Sequence, residues 1–363
     1  MRRALTLAAR GLGEANPNPV VGCLVVRGDR VLGEGWHARA GGAHAEVVAL
    51  RRAGARARGA TLYVTLEPCA HFGRTPPCAP LVRDSGVARV VVATADPNPL
   101  VGGRGIALLR RAGISVETGV LAAEAARVNE RFLRSARLGR PFVLLKAATT
   151  LDGRIATASG HSKWITGPAE RRQARWLRRL HDAVLVGIGT VRADDPLLLP
   201  TPRTRRPFTR VVLDSRLQLP FESQLVRTAS ARQPVLVLTC HESPPRRREL
   251  EATGVTVVPV AADGGRVALP AALEALGERG LRSLMVEGGS EVLGSFLAAR
   301  LLDQVALFRA PILLGGRGSR PAFGGEDPAT IADGLRLARV RDEPPFPWPW
   351  APCFELWRPR GSR

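Results

Sequence analysis

Twice along this chain, short runs of β-branched and aliphatic residues alternate with helix-period segments, and between the two series stands Gly139-Arg140-Pro141. Such alternation commits a chain to an α/β architecture, because each strand must bury its faces against the helices that flank it in sequence. Its restart after a Gly/Pro punctuation predicts two cores, with a first domain over 1–140 and a second over 141–363. In the first series the patterns predict strands over 20–27, 31–36, 61–66, 87–94 and 114–117, and helices from His44, from Cys78, over 104–112 and over 122–137. In the second they predict strands over 142–147, 183–186, 210–213, 235–238, 255–260, 283–286, 305–314 and 353–357, and helices over 168–180 and 290–299. Pro200 to Pro207 reads as a loop, and Pro344-Pro345-Phe346-Pro347 cannot enter a sheet interior, so the tail is expected to wrap the surface before its last strand.

The first ten residues imitate a signal peptide until Arg10 and Glu14 cut the apolar stretch short, leaving an amphipathic helix. No run approaches the roughly 18 apolar residues of a spanning helix. Five cysteines in 363 residues make no disulfide framework and fit a reducing compartment, so a cytoplasmic protein without a membrane partner is expected. The formal charge of +21 would suit an anionic partner, but the arginines are spread over the whole chain without a basic stripe, which argues against nucleic acid. Lys146 and Lys163 are the only lysines, so each stands where arginine was not used.

The chemistry begins at His44-Ala45-Glu46, where a helix is predicted to open, and continues at Pro68-Cys69 after a strand and at Cys78 after eight intervening residues. Taken singly, each residue would read as an ordinary core or helix-start residue. Together one imidazole and two thiolates suit Zn²⁺, which takes four ligands and in catalytic sites leaves one position to water. One ion per chain is expected on His44, Cys69 and Cys78, with the pKa of its water lowered toward roughly 7. Glu46, two residues from His44, is then placed to shuttle a proton from water to a departing amine. H-x-E followed by P-C is a zinc-deaminase signature. Cytidine and adenosine deaminases usually continue it as P-C-x-x-C, and the longer gap here narrows the family.

Several separated stretches carry a resemblance. Asn16-Pro17-Asn18-Pro19-Val20-Val21-Gly22, His44-Ala45-Glu46, Thr65-Leu66-Glu67-Pro68-Cys69 with Cys78, and Asp96-Pro97-Asn98-Pro99 resemble the bacterial bifunctional riboflavin-biosynthesis deaminase/reductases. Leu151-Asp152-Gly153-Arg154, Trp164-Ile165-Thr166, Asp194-Asp195-Pro196 and Val286-Glu287-Gly288-Gly289 extend the resemblance over nearly the whole chain. It implies an α/β chain in which a cytidine-deaminase-like three-layer domain precedes a dihydrofolate-reductase-like domain. It also implies hydrolytic deamination of a diamino-ribosylamino-pyrimidinone phosphate, with Asn18, His37, His71 and Arg74 at the substrate. Asn18 offers a donor and an acceptor to a pyrimidine edge, and the other three could meet a ribose phosphate.

For the second domain the resemblance implies NADPH-dependent reduction of the ribosyl group to a ribityl chain. Carried over by position, Ala148, Trp164, Thr190, Asp194 and Ser215 would touch NADPH, as would Gly289, Ser290, Glu291, Val292, Leu293, Gly294 and Ser295. Ser162, Arg178, Leu198, Thr201 and Glu287 would touch the substrate. The glycine pair before Ser290 lets backbone amides approach a phosphate at a helix N-terminus, although it is no G-x-G-x-x-G fingerprint. One departure stands out. The family commonly has Thr-Val-Arg where this chain has Leu199-Pro200-Thr201, which removes a phosphate-binding arginine that Arg203 could replace. Lys146 could meet an anion, donate a proton or simply snorkel from a strand end, and the sequence leaves that open, as it does the oligomeric state. A tRNA adenosine deaminase would share the zinc motif and the charge but leaves the second half unexplained.

Overall fold

The computed structural model describes residues 1–72, 75–96, 102–340 and 353–361. These form two compact units, one over Met1–Gly139 and one over the described residues from Arg140. In the first unit α1 (Arg2–Ala9) precedes the hairpin β1 (Gly22–Arg27) and β2 (Arg30–Trp36), followed by α2 (Ala45–Ala53), β3 (Thr61–Val64), α3 (Cys78–Asp84) and β4 (Arg89–Val92). The unit closes with α4 (Arg104–Arg111), β5 (Ser115–Thr118), α5 (Ala122–Val128) and α6 (Glu130–Leu138). Its sheet runs β2-β1-β3-β4-β5, antiparallel at the hairpin side and parallel from β3 onward.

Alternation along β1 explains the layers. Cys23 and Val25 face a core that contains Ala45 and Ala49 of α2 and Leu109 of α4, while Leu24 faces Ala4 and Leu7 of α1. The sheet is therefore covered on both sides. The α2 side is unusually close: a Cβ on Gly35 would lie 2.6 Å from the Ala45 carbonyl oxygen and 2.7 Å from the Val48 Cβ. Gly35→Ala is accordingly expected to cost about 1–3 kcal/mol by overpacking and to disturb the turn that begins with His44. A thermal melt unchanged by this substitution would refute so close an approach.

The expected single helix over 122–137 is instead two helices meeting at Asn129. The reason is polar: the buried Asn129 side chain accepts from the Val20 N–H at 2.8 Å and donates to the Val20 carbonyl at 2.9 Å. That pairing ties the segment before β1 to the helical layer.

The second unit contains β6 (Phe142–Thr149), β7 (Arg154–Ala156), α7 (Pro168–Arg179), β8 (Ala183–Gly187), α8 (Ile188–Asp194), β9 (Thr209–Leu213), α9 (Gln224–Arg227) and β10 (Val235–Thr239). It continues through α10 (Pro244–Ala252), β11 (Thr256–Pro259), the hairpin β12 (Ala262–Asp263) and β13 (Arg266–Val267), α11 (Leu269–Glu278), β14 (Ser283–Val286) and α12 (Ser290–Ala298). The last elements are β15 (Gln304–Arg309), β16 (Arg320–Pro321), β17 (Leu337–Arg339) and β18 (Glu355–Pro359). The main sheet runs β11-β10-β9-β8-β14-β6-β15-β18-β17, parallel as far as β15 and antiparallel beyond.

In β8, Leu185 joins a core with Leu276 and Phe296 of α11 and α12, whereas Val184 and Val186 join Leu225 and Leu250 of α9 and α10 on the other face. Strands covered on both faces read as unbroken apolar runs, which is why they were legible in sequence. The pattern gave no sign of α8, α10, α11 or the short hairpins. The strand expected over 305–314 ends at Arg309, because Pro311 has no N–H for a ladder and the chain turns there, Leu151 donating to the Ile312 carbonyl at 2.8 Å. Pro200 to Pro207 lies outside helices and strands, as expected, and the segment Pro344–Pro347 lies outside the described residues. Among the described residues no helix is long and apolar enough to cross a membrane.

Candidate active sites

The first site forms where β2, α2 and the segment after β3 converge. His44 caps α2 with an extended backbone, which puts Glu46 in the first helical turn and buries it. Pro68-Cys69 follows β3, and Cys78 opens α3. The His44 Nδ1 lies 3.1 Å from the Cys78 Sγ and 3.6 Å from the Cys69 Sγ, and the three donor atoms all lie within 4.8 Å of one another. Two soft sulfurs and one imidazole nitrogen gathered at this range are the donor set of a zinc centre.

Electrostatics agree with that fit. A hydrogen bond from the Cys78 side chain pulls the Cys69 thiol down to about 4, while the same bond and burial push Cys78 up. Two adjacent sulfurs cannot both ionise unless a cation stands between them. Burial pushes the Glu46 carboxyl up to about 7, into the range of a group that takes and returns protons at neutral pH.

The surrounding cavity, about 340 Å³, is lined by Asn18, His37, His44, Glu46, Cys69 and His71 among others. His37 is buried, and both ring nitrogens are engaged: Nδ1 donates to the Ala43 carbonyl at 3.2 Å, and Nε2 accepts from the Asn18 amide at 3.2 Å. In this arrangement burial lowers the His37 pKa, and the ring orients the Asn18 amide, where the sequence had suggested a phosphate contact. His71 is exposed at the cavity rim. Arg74 lies outside the described residues, as do Pro97 to Pro99.

Two residues that sequence reasoning passed over also belong here. Glu67 is buried and accepts four backbone N–H groups, from Asp96 (3.2 Å), Gly103 (2.8 Å), Gly105 (2.9 Å) and Ile106 (3.1 Å), which fastens the start of α4 beside Pro68-Cys69. A carboxylate at the end of an apolar strand was the available signal. Thr75 had none: its Oγ1 sits 3.0 Å from the His44 Nε2. With Nδ1 facing the thiols, Nε2–H donates to that hydroxyl and holds the ring in register. Thr75→Val is expected to weaken zinc retention about 10- to 100-fold, read as the chelator concentration that strips the metal, with Thr75→Ser close to the parent. Unaltered retention in the valine variant would show that the contact does not orient His44.

The second site lies in the other unit, at the carboxyl ends of β8, β9 and β14, where open parallel sheets bind their ligands. Its cavity of about 890 Å³ is lined by the predicted residues Ser162, Thr190, Asp194, Ser215 and Glu287, together with Gly289, Ser290, Glu291, Val292 and Ser295 from the α12 end. Gly289 is the N-cap of α12, so the first amides of the helix have no partner in the preceding turn. The Leu293 amide already donates to the Gly289 carbonyl, and its side chain packs in the core. A Cβ on Gly294 would come within 1.8 Å of the Gly324 carbonyl oxygen, so that position seats α12. Available amides, a glycine-lined approach and a large cavity fit the pyrophosphate of a dinucleotide.

Ala148, Trp164, Leu198, Thr201 and Arg178 are not among the residues that line this cavity. Trp164 is 69% exposed, with the Arg171 guanidinium 4.4 Å from its ring centroid, and its neighbour Lys163 pairs with Asp194 at 2.9 Å. Ala148 lies on β6 opposite Phe308. Leu198 is buried with a left-handed φ of 55°, Thr201 is exposed with its amide bonded to the Arg175 carbonyl, and Arg203 is exposed.

Arg178 grips Glu287 with two bonds, 2.5 Å from Nε and 3.0 Å from Nη2, and its Nη1 donates to the Leu199 carbonyl at 3.0 Å. Lys146, whose role the sequence left open, stands 3.6 Å from the same carboxylate. Burial alone would raise the Glu287 carboxyl, but Arg178 and Lys146 outweigh it and hold the group at about 2. Burial in turn lowers Lys146, only partly offset by Glu287. The result is an ionised carboxylate between two cations at the cavity wall.

Known proteins correspond to both halves. The family described as the cytidine and deoxycytidylate deaminase zinc-binding region matches residues 1–94, and the RibD C-terminal domain family matches residues 141–343. The chain is 44% identical over 335 residues to the riboflavin biosynthesis protein RibD of Bacillus amyloliquefaciens, covering 92% of this chain and 89% of that one. It is 41% identical over 329 residues to RibD of Escherichia coli, covering 87% and 88%. Among solved structures, Acinetobacter baumannii RibD superposes with a TM-score of 0.87 at 38% identity over 99% of this chain and 97% of that one. A diaminohydroxyphosphoribosylaminopyrimidine deaminase/5-amino-6-(5-phosphoribosylamino)uracil reductase from Thermotoga maritima gives 0.83 at 37% identity, covering 99% and 97%.

Proposed function

Because the chain belongs to the RibD family of bifunctional riboflavin-biosynthesis enzymes, we propose that its two sites act in turn on one pyrimidine ribose phosphate. The enzyme is a zinc-dependent deaminase and an NADPH-dependent reductase. The division of labour between residues 1–140 and 141–363, and the roles of individual residues, are our reading. The observation that carries it is that one unit holds a His44/Cys69/Cys78 cluster with a buried Glu46 and the other an ionised Glu287 beside the N-terminus of α12.

In the first step the exocyclic 2-amino group of the diamino-pyrimidinone leaves as ammonia and water supplies the new carbonyl oxygen. His44, Cys69 and Cys78 would hold the zinc, which would supply a water of lowered pKa as nucleophile near neutrality. Glu46 takes a proton from that water and passes one to the departing amine, for which a carboxyl near 7 is suited. Asn18, oriented by His37, reads the pyrimidine edge. His71 and Arg74 are assigned to the ribose phosphate.

For the second step NADPH, held in the second cavity, would supply the hydride that reduces the ribose C1′ of the ring-opened imine, and the protein supplies orientation and charge. The first turn of α12 would hold the cofactor pyrophosphate, with Thr190, Asp194, Ser215 and Trp164 along its length and Ala148 on β6 behind. Glu287, kept ionised by Arg178 and Lys146, would fix the sugar hydroxyls, with Ser162, Leu198 and Thr201 completing the substrate side. Lys146, its proton loosened by burial, is the group assigned to proton delivery. Because Arg178 also binds the Leu199 carbonyl, it links this carboxylate to the Leu199-Pro200-Thr201 departure, and Arg203 is the arginine we assign to the phosphate there. A small-molecule substrate and a cytoplasmic location belong to the same reading, the latter supported by five cysteines with no disulfide among the described residues.

The test is incubation with the diamino-pyrimidinone phosphate, with and without NADPH, and identification of products by mass. The deaminated ribosyl compound is expected alone, and its ribityl form when NADPH is added. Inosine formed from RNA with no turnover of the pyrimidinone would overturn the reading.

A further inference from the structure

A phosphorylated dinucleotide carries charge at two places, the pyrophosphate and the 2′-phosphate, and the first turn of α12 can serve only one of them. Among the described residues of this cavity wall, Asp194 and Glu287 are already paired. Asp194 is paired with Lys163 at 2.9 Å, and Glu287 is held by Arg178 and Lys146. Arg320, exposed on the wall, stands on β16 beside β7 and the turn at Gly160. Arg266 is different. It lines the cavity from β13, and its one ion pair, to Glu291 at 3.7 Å, is long and exposed, with side chains 71% and 70% accessible. A pair of that kind contributes little and is readily exchanged for a better anion.

Ser215 fixes where Arg266 stands. The Ser215 Oγ accepts the Val267 N–H at 3.1 Å, which brings the residue after Arg266 against the end of β9 and leaves the serine hydroxyl proton free to donate. Ser215 and Arg266 thus occupy the same end of the cavity, beside an apolar stretch of Leu213, Val267 and Leu269 that can accept a purine. A guanidinium next to a hydroxyl donor is a pairing that recognises a phosphate monoester. The dianion would draw Arg266 away from its weak pair with Glu291.

We propose that Arg266, with Ser215, seats the 2′-phosphate of the cofactor and sets the preference for NADPH over NADH. This rests on the reading of the cavity as the dinucleotide site. It is tested on the zinc-loaded full-length enzyme by calorimetric titration with 2′,5′-ADP and, separately, 5′-AMP, which differ only in the phosphate at issue.

The parent is expected to bind 2′,5′-ADP more tightly than 5′-AMP. Arg266→Ala is expected to weaken 2′,5′-ADP about 10- to 100-fold, the loss of charge-assisted hydrogen bonds, and to leave 5′-AMP binding as it was. Arg266→Lys should restore part of the difference, and Glu291→Gln should tighten 2′,5′-ADP by removing the competing carboxylate. The ratio of kcat/KM for NADPH over NADH should fall in Arg266→Ala by the factor seen in binding.

Equal weakening of both nucleotides, or no change in either, would overturn the assignment of Arg266 while leaving the cavity as the dinucleotide site. Failure of the parent to bind either nucleotide would overturn the cavity reading, and the assignment with it.

Discussion

Replacing Glu46 with glutamine should stop ammonia release while the enzyme continues to reduce the deaminated intermediate. The amide keeps the volume of the carboxyl in its buried position, so the fold and the three ligand positions are preserved. What it cannot do is accept a proton from water and return it. Loss of general acid–base catalysis is worth about 10²- to 10⁴-fold, so the deaminase rate should fall at least that far. Zinc content, measured by elemental analysis, should match the parent because Glu46 is not among the three ligands. If metal were lost along with activity, Glu46 would be a ligand rather than a proton shuttle. If reduction of the deaminated intermediate fell equally, the two sites would not be independent.

The complementary result is expected at Glu287. Glu287→Gln removes a negative charge from between Arg178 and Lys146, leaving two half-buried cations without a counter-charge. Breaking a buried ionic group in this way costs about 3–5 kcal/mol of stability, so the variant must be assayed below its own lower melting point. Under those conditions reduction should fall by about 10²-fold or more, on the scale of losing one electrostatic contact to a reacting centre, while deamination proceeds. Acid should have a related effect. The Glu287 carboxyl is held at about 2 in the folded state, against an unfolded value of 4.5. Its contribution is therefore complete above the unfolded value and is lost as pH falls from there toward the folded one. Glu287→Gln should flatten the acid side of the stability curve over that interval. A variant that reduces normally would remove Glu287 from the substrate site, and an equal fall in both activities would point to a general folding defect.

The contrast between the two sites explains how much was readable in advance. His44 and Glu46 lie two residues apart at a helix start, and Cys69 and Cys78 flank one loop, so the zinc site is assembled from short-range spacings that a helix turn and a strand end impose. The apolar runs of β8, β10 and β14 were equally plain because strands buried on both faces must be apolar throughout. Residue identities alone thus determined the α/β class, the ligand types and the candidate proton shuttle.

Other features depended on which strands became neighbours. β14 inserts between β8 and β6, with Val286 opposite Leu145, so one step further along Glu287 arrives beside Lys146. Arg178 reaches the same carboxylate from 109 residues away in the chain. Thr75 on His44, Asn129 on Val20 and Arg266 beside Ser215 were invisible for the same reason. Local pattern reports what a residue must do for its own helix or strand, because burial and backbone geometry act over a few positions. Partners across a sheet are chosen by strand order and register, and only the tertiary structure decided those.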